Sequence, residues 1–582
     1  MKQKIVTFLA VLALAISGCA VLSRVLNPPV RLNLAAVELW TAAGTVADLS
    51  VSGPEVWMAS TGGLLRLAEG EAVERRCQPE IAWRGVAARD GDVAAVGLRN
   101  LVCSHAGVWH SAVLPEQAEG YSIAATSDGW WVGHSLGYQR LDPETGLAEL
   151  RRVGPIRKVV AGANDAWALG QDRFYPIKGE AMASPAGVKG PWAAVAAGGA
   201  LLLAGTDSDR PLTLWRWSDH WRALPAIPAS GSHVTALADA GGLVAAVAGD
   251  GWWRLQHGRW QRLAVGIPPP LAQDTAALAS DSSAWLGAAR SGGVWRYSAG
   301  AWSPVNLPEE LPAANLQALA QYRGQLYAST FDRGLLVRTG SRWQELGQGS
   351  SPDYPRQMAV SEDRLYVRET DGALSVWDGL QWRRNILRHQ LRRAWIGTLV
   401  ADADGLTLGG WGTVVRGTPG QWRETALSTP WDSMAITSLA WNGNKLAAGT
   451  GSQGLLLVDP ETGRAGPARG GPSDPWISAL SGNGSGLLAG TAGGQLGWVE
   501  RDEPVANLVA GVTALATLPD GTAIAATRDG LYRQETQKWQ RLPCPLADAL
   551  EPQCLLTTED ALWVGGRYGL LRIPFQQRAS RW

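Results

Sequence analysis

The stretch VTALADAGGLVAAVAGDGWWRLQHGRWQRLA, residues 234–264, decides the fold. Residues 234–238 read as one short strand and 243–248 as a second. A Gly-Asp-Gly turn at 249–251 leads to a third strand at 252–256, and a His-Gly turn leads to a fourth at 259–264. Short apolar or alternating runs bounded by Gly, Asp and Ser are strand and hairpin signals. The same plan recurs along the chain. Trp221, Trp260, Trp302, Trp343, Trp382 and Trp422 follow one another at gaps of 39, 42, 41, 39 and 40 residues. Similar tails stand at RWQRL (259–263), AWSPV (301–305), RWQEL (342–346) and KWQRL (538–542). Turn glycines from Gly63 to Gly569 span 506 residues in thirteen steps, so the chain holds fourteen repeats. The second (93–109), fourth (165–180) and fifth (201–224) depart most from the pattern, through a replaced turn glycine or a longer loop.

Four strands per forty residues is the unit of a β-propeller blade. Helical arrays of similar period need long amphipathic stretches, and 70 glycines in 582 residues would cost them about 1 kcal/mol at each interior site. The expected fold is all-β: two tandem β-propellers of seven blades each, with four-stranded blades of about 39 residues. One ring of fourteen blades exceeds the usual four to eight. The simplest division places the first propeller at 32–307 and the second at 308–582, and a six-plus-eight split satisfies the same count. Residues 32–40 precede the first complete repeat and could supply a closing outer strand to a ring. The phased tryptophans are expected to fill the wedge between blades. Aromatics off that phase are better candidates for binding.

The repeat pattern in SAWLGAARSGGVWRY (283–297), TAIAATRDGLYRQ (522–534) and ALWVGGRYGLLRI (561–573), with W-x-x-L about ten residues on, resembles the two-component regulator propeller repeat. The resemblance covers 45–575. It implies tandem seven-bladed propellers of the kind that form periplasmic sensor regions of hybrid histidine kinases, some of which respond to polysaccharide fragments. No kinase or DNA-binding pattern stands in this chain. The WD dipeptide of WD40 repeats occurs only once as a strand-end candidate, at Trp377-Asp378, and the Asp-box of sialidases is absent.

Residues 1–18 read as a lipoprotein signal peptide: Lys2 and Lys4, a twelve-residue apolar core at 5–16, then Ile-Ser-Gly before Cys19. Cys19 is the expected lipidation site, with 19–31 as tether, which anchors the protein in the cell envelope, facing outside the cytoplasm. In an organism with two membranes the outer one is expected. Four further cysteines, Cys77, Cys103, Cys544 and Cys554, are even in number in an exported chain, and local 77–103 and 544–554 disulfides are expected.

Equal counts of 52 basic and 52 acidic residues give no nucleic-acid signature. Seven scattered histidines have no metal-ligand spacing, and no nucleophile elbow or phosphate-binding loop appears, so no cofactor or metal is expected. Candidate binding residues lie where the loops vary most. They are Asp207 and Arg210, Asp332 and Arg333, Trp411, Arg528 and Asp529, and Arg567 with Tyr568. The connection RRNILRHQLRRAW (383–395) adds Arg388, Arg392 and Arg393, which could grip an acidic polysaccharide, anionic headgroups or an acidic partner, or form a solvated loop around inward Ile386, Leu387 and Leu391. The expected function is a membrane-anchored binding or scaffold lipoprotein, with a protein or glycan as ligand, or a sensory input module. The alternative is a polysaccharide hydrolase or lyase using paired carboxylates from residues such as Asp207, Asp332 and Asp529.

Overall fold

The computed structural model describes residues 30–576 except 43–44, 69–70, 116–117, 128, 143–145, 149, 163–164, 209, 240–241, 264–265, 281–283, 306, 308–310, 332, 347–351, 353, 388–390, 392–394, 403–404, 483–485, 502 and 537. Cys19 and its tether up to residue 29 lie outside the described residues, as do Asp332, Arg388, Arg392 and Arg393.

Fourteen antiparallel sheets follow one another along the chain. The chain is two tandem seven-bladed propellers. Within each blade the strands are lettered a to d from the centre outward. The blade read above is Val234–Asp239, Leu243–Val247, Gly251–Gln256 and Arg259–Arg262. Two compact units hold seven blades each: Thr41–Glu310, and the described parts of Leu311–Trp582 together with Met1–Trp40. The six-plus-eight split is thereby excluded.

The first unit closes on itself. Val46, Leu49, Met58 and Leu65 of blade one pack with Ala277, Leu286, Ala288 and Val294 of blade seven. The second unit closes differently. Its last blade takes a to c from Pro552–Thr557, Ala561–Gly566 and Gly569–Pro574, and d from Glu38–Trp40, in the register Glu38↔Arg572, Leu39↔Leu571, Trp40↔Leu570. This corrects the linear boundary: the segment 32–40 belongs to the second propeller, not the first. The physical reason is that strand Gly569–Pro574 would otherwise leave an open edge of unpaired N–H and C=O groups.

The irregular repeats have local causes. In blade two the turn glycine is replaced, and the buried Glu80 carboxylate holds the turn instead. Its Oε1 accepts from the backbone N–H of Arg99 (2.8 Å) and Asn100 (3.0 Å) and from Asn100 Nδ2 (3.0 Å). Blade four has a–c strands of four residues each. Blade five lengthens its a–b hairpin, Val188–Ala197 with Ala200–Ser208. In blade three the outer strand is broken into Gly146–Leu147 and Arg151–Arg152, both paired with Gly137–Asp142.

The phased tryptophans pack between strands and blades. Trp260 and Trp343 are buried, while Trp302 lies 4.9 Å from both Tyr297 of its own blade and Trp252 of the preceding one. The expected disulfides are not formed: no bond joins Cys77 to Cys103 or Cys544 to Cys554. Each thiol is taken up by its own surroundings. Cys103 lies in the core between blades two and three, Cys544 begins the helix Pro545–Leu550, and Cys554 donates to Gly565 O (3.7 Å) beside it in the same sheet. Cys77 donates to Gly62 O at 3.6 Å. Burial pushes the Cys103 thiol to about 11 and the Cys554 thiol to about 12, so neither forms a reactive thiolate near neutrality.

Candidate functional site

In an antiparallel a–b–c–d blade, the b–c turn and the connection from d to the next a leave the same end of the strands. That end is called the upper face here; the a–b and c–d turns form the lower face. Among the described residues, every exposed aromatic side chain lies on the upper face of the second propeller. Phe331 (51% exposed) is in the b–c turn of blade eight, and Trp411 (50%) in that of blade ten. Tyr354 (65%) and Trp476 (57%) immediately precede the inner strands Pro355–Ser361 and Ile477–Gly482. Trp395 precedes another inner strand, Ile396–Asp402, and its ring lies 5.8 Å from that of Trp411. The Trp476 loop is held in shape by Asp474, which accepts from the N–H groups of Trp476 (3.0 Å) and Gly493 (3.0 Å). Those N–H bonds keep the Asp474 carboxyl below its ordinary value, so it stays charged.

A second feature lies just inside this rim. Twelve inner a–b hairpins carry a one-residue bulge near the start of strand a, as between Ile436 and Ser438. A bulge re-aims the extra side chain. In the second propeller these bulged residues link blade to blade around the axis. Thr437 Oγ1 donates to Ile477 O (2.8 Å), Ser478 Oγ to Val512 O (2.6 Å), and Thr513 Oγ1 to Pro552 O (2.9 Å). Gln317 Nε2 donates to Gln553 Oε1 (2.8 Å), and Arg356 Nη1 to Gln317 Oε1 (2.6 Å). The belt ends at Arg356, because Gly397 has no side chain to continue it.

Arg356 opens into a cleft of about 560 Å³ between blades eight and nine, lined by Phe331, Tyr354, Glu369, Asp371 and Arg384 among others. The Arg356 guanidinium lies 5.4 Å from the centre of the Phe331 ring, and its Nε donates to Thr370 Oγ1 at 3.1 Å. Glu369 is buried, accepting from Ser375 Oγ (2.8 Å) and facing Arg384 Nη2 (3.4 Å). Asp371 accepts the N–H of Ala373 (2.9 Å) and so shapes its own turn. Behind them the Arg368 guanidinium is lowered to about 10, by burial first and by Arg356 next.

The other sequence candidates are dispersed. Asp207 sits opposite Lys189 in the long hairpin of blade five, where only its backbone is described, and Arg210 is exposed nearby. Arg333 faces Glu345 (3.4 Å) next to Phe331. Arg528 is exposed in the b–c turn of blade thirteen, beside Asp529. The backbone carbonyl of Asp529 accepts from Arg541, which also pairs with Asp548 (3.0 Å). The Asp548 carboxyl is raised by burial, against Arg541 and with Asp529. Arg567 pairs with Glu551 (3.6 Å) and lies over the Tyr568 ring. In the basic connection, Ile386, Leu387 and Leu391 pack against the core of blades nine and ten. Sequence reasoning named Trp411 but missed Phe331 as an aromatic, Tyr354, Trp476 and Arg356. The available signal was an aromatic one residue before an inner strand, at 354, 395 and 476.

Among the described residues no group of three or more His, Cys, Asp or Glu is placed to hold a metal ion. None of their helices is long and apolar enough to cross a membrane.

No protein-family model and no curated relative matches the chain. Solved structures match its fold. A GH74 xyloglucanase from Xanthomonas campestris aligns with a TM-score of 0.62 at 14% identity, over 94% of this chain and 100% of that one. The GH74 enzyme of Niastella koreensis gives 0.59 at 12%, over 92% and 98%. PorZ, a surface component of the type-IX secretion system of Porphyromonas gingivalis, gives 0.55 at 11%, over 92% and 87%. At these identities the likeness is one of fold.

Proposed function

We propose that this protein is a membrane-anchored binding protein of the cell envelope whose second propeller holds a glycan on its upper face. The carrying observation is the gathering of Phe331, Tyr354, Trp411 and Trp476 on one face, when the other described aromatics are at least half-buried. Flat aromatic surfaces fixed by rigid strands suit the apolar faces of sugar rings, and their ordering cost is low because the scaffold holds them in place.

The chain's path supports an outward-looking face. Val30 N–H donates to Asp520 Oδ2 (2.6 Å) in the a–b turn of blade thirteen, Val30 O accepts from Arg533 Nη2 (2.9 Å), and Arg31 O accepts from Gln576 N–H (2.8 Å). These contacts lie on the lower face. A lipidated Cys19, eleven residues before Val30, anchors that face toward the membrane and turns the aromatics away from it. The repeat resemblance fits an input module for a separate membrane partner. Solved structures that align with this fold include a xyloglucanase and a secretion-system component, so fold alone favours neither catalysis nor binding. The hydrolase reading is the weaker one, because the described carboxylates beside the aromatic cleft are occupied: Glu369 by Ser375 and Arg384, Asp371 by its own turn.

The test is affinity electrophoresis of the intact protein through gels containing a panel of soluble polysaccharides. At least one should retard the wild type, and Trp411→Ala with Trp476→Ala should release it without a change in melting. Equal mobility of wild type and double variant in every gel would refute the platform.

A further inference from the structure

We infer that the cleft between blades eight and nine is the specificity subsite of this platform, and that it takes the carboxylate of a uronic-acid residue in an acidic polysaccharide. The inference rests on the glycan-binding reading above and names the class of glycan.

The argument begins with charge. Among the described residues three cations stand at or behind the cleft, Arg356, Arg368 and Arg384, and two carboxylates, Glu369 and Asp371. Glu369 faces Arg384 and also accepts from Ser375. Asp371 acts electrostatically on Arg368 and holds the turn at Ala373. Arg356 has no acidic partner among the described residues. Its polar bonds go to two neutral groups, Gln317 Oε1 and Thr370 Oγ1, and its face rests on Phe331. Among the described residues the cleft thus keeps one guanidinium charge without a carboxylate partner, at the point where the belt of bulged residues ends.

Geometry makes that charge useful. Gln317 is itself bonded to Gln553, so the guanidinium is braced through two further blades and loses little freedom on binding. Nη2 makes neither of these bonds, which leaves it for a ligand in the cleft that Arg356 lines. A guanidinium fixed in this way recognises a carboxylate better than a flexible one, because its donors are already aligned. Phe331 and Tyr354 flank it, half or more exposed, and offer surfaces for the sugar ring that carries the acid. A neutral glycan would stack on the same aromatics and leave Arg356 without a counter-charge. An acidic one satisfies both.

The experiment compares a galacturonate hexamer with its fully methyl-esterified form, which keeps the ring and removes the charge. Binding to the intact protein is measured by calorimetry at two salt concentrations. The acidic hexamer should bind roughly tenfold to a hundredfold more tightly than the ester, the scale of one charge-assisted hydrogen-bonded contact. Its affinity should fall as salt rises. Arg356→Gln should abolish that preference, bringing the acidic hexamer to the affinity of the ester in a variant whose melting shows it folded, while Phe331→Ala should weaken both forms. Equal affinity for the two forms, or a preference that survives Arg356→Gln, would overturn the inference and leave the aromatic platform standing. Binding to neither form would overturn it as well, and polysaccharide retardation, or its absence, in the gels would then say whether the platform itself survives.

Discussion

Trp40 stacks on Trp563 with ring centroids 5.5 Å apart and planes 25° from parallel. One belongs to the outer strand supplied from the start of the chain, the other to the second strand of the last blade. The Arg338 guanidinium of blade eight lies over both rings, at 5.0 and 5.3 Å. The seam of the second propeller is thus closed by residues from three distant parts of the sequence, through stacking and cation–π contact.

Trp40→Ala should therefore loosen the second propeller selectively. Trp40 is half-buried, so the expected loss is about 2–3 kcal/mol, below that of a fully buried aromatic. Differential scanning calorimetry should show one transition lowered. Removing residues 30–40 altogether should expose strand Gly569–Pro574 and promote self-association, visible by light scattering. Unchanged melting in both variants would mean that the exchanged strand contributes nothing to closure.

Glu80→Ala should destabilise the first propeller by about 2–4 kcal/mol, because two backbone N–H groups and one amide lose a buried acceptor together. Glu80→Gln keeps an acceptor oxygen and should recover most of this. Urea titration of the three proteins checks the order. A Gln variant as unstable as the Ala variant would show that the charge itself, not the acceptor, holds the turn.

His134 is fully buried, and its pKa is lowered to about 4 by burial first and by Arg152 second. The folded state therefore holds it neutral, with Nδ1 accepting from Leu136 N–H at 3.2 Å. Its contribution is complete above the unfolded value near 6.5 and is lost as pH falls toward 4. Between pH 7.5 and pH 5 the wild type should lose about 2 kcal/mol more than His134→Asn, which keeps an acceptor but does not titrate. Parallel pH dependence of the two proteins in denaturant melts would show that the imidazole does not charge on unfolding.

Cys19→Ser should move the protein from the membrane fraction to a soluble or processing-arrested form and abolish incorporation of labelled palmitate. Labelling that persists in the variant would exclude Cys19 as the acceptor.

The sequence by itself determined the architecture. Strand-length apolar runs, Gly-centred turns and tryptophans at a period near forty leave a four-stranded blade as the only repeat that buries its apolar faces, and the count of fourteen follows from the turn glycines. The reason is that blade identity is encoded locally, within one hairpin pair at a time. Tertiary structure alone decided what depends on residues far apart. The sequence offered 32–40 as a closing outer strand, but which ring it closes, and the register of Glu38–Trp40 against Gly569–Pro574, has no local signal, since a three-residue strand reads like any short apolar run. Glu80 stood in for the missing glycine at a position the repeat pattern does not examine. Even cysteine count pointed to disulfides, but each thiol packs in its own local surroundings, Cys103 between two blades and Cys554 within one sheet, so proximity in sequence did not become proximity of sulfurs. The binding face was half legible. Trp411 stood out between glycines, whereas Arg356, Phe331 and Tyr354 converge only because a bulge turns Arg356 toward the axis and two blades bring their upper loops together.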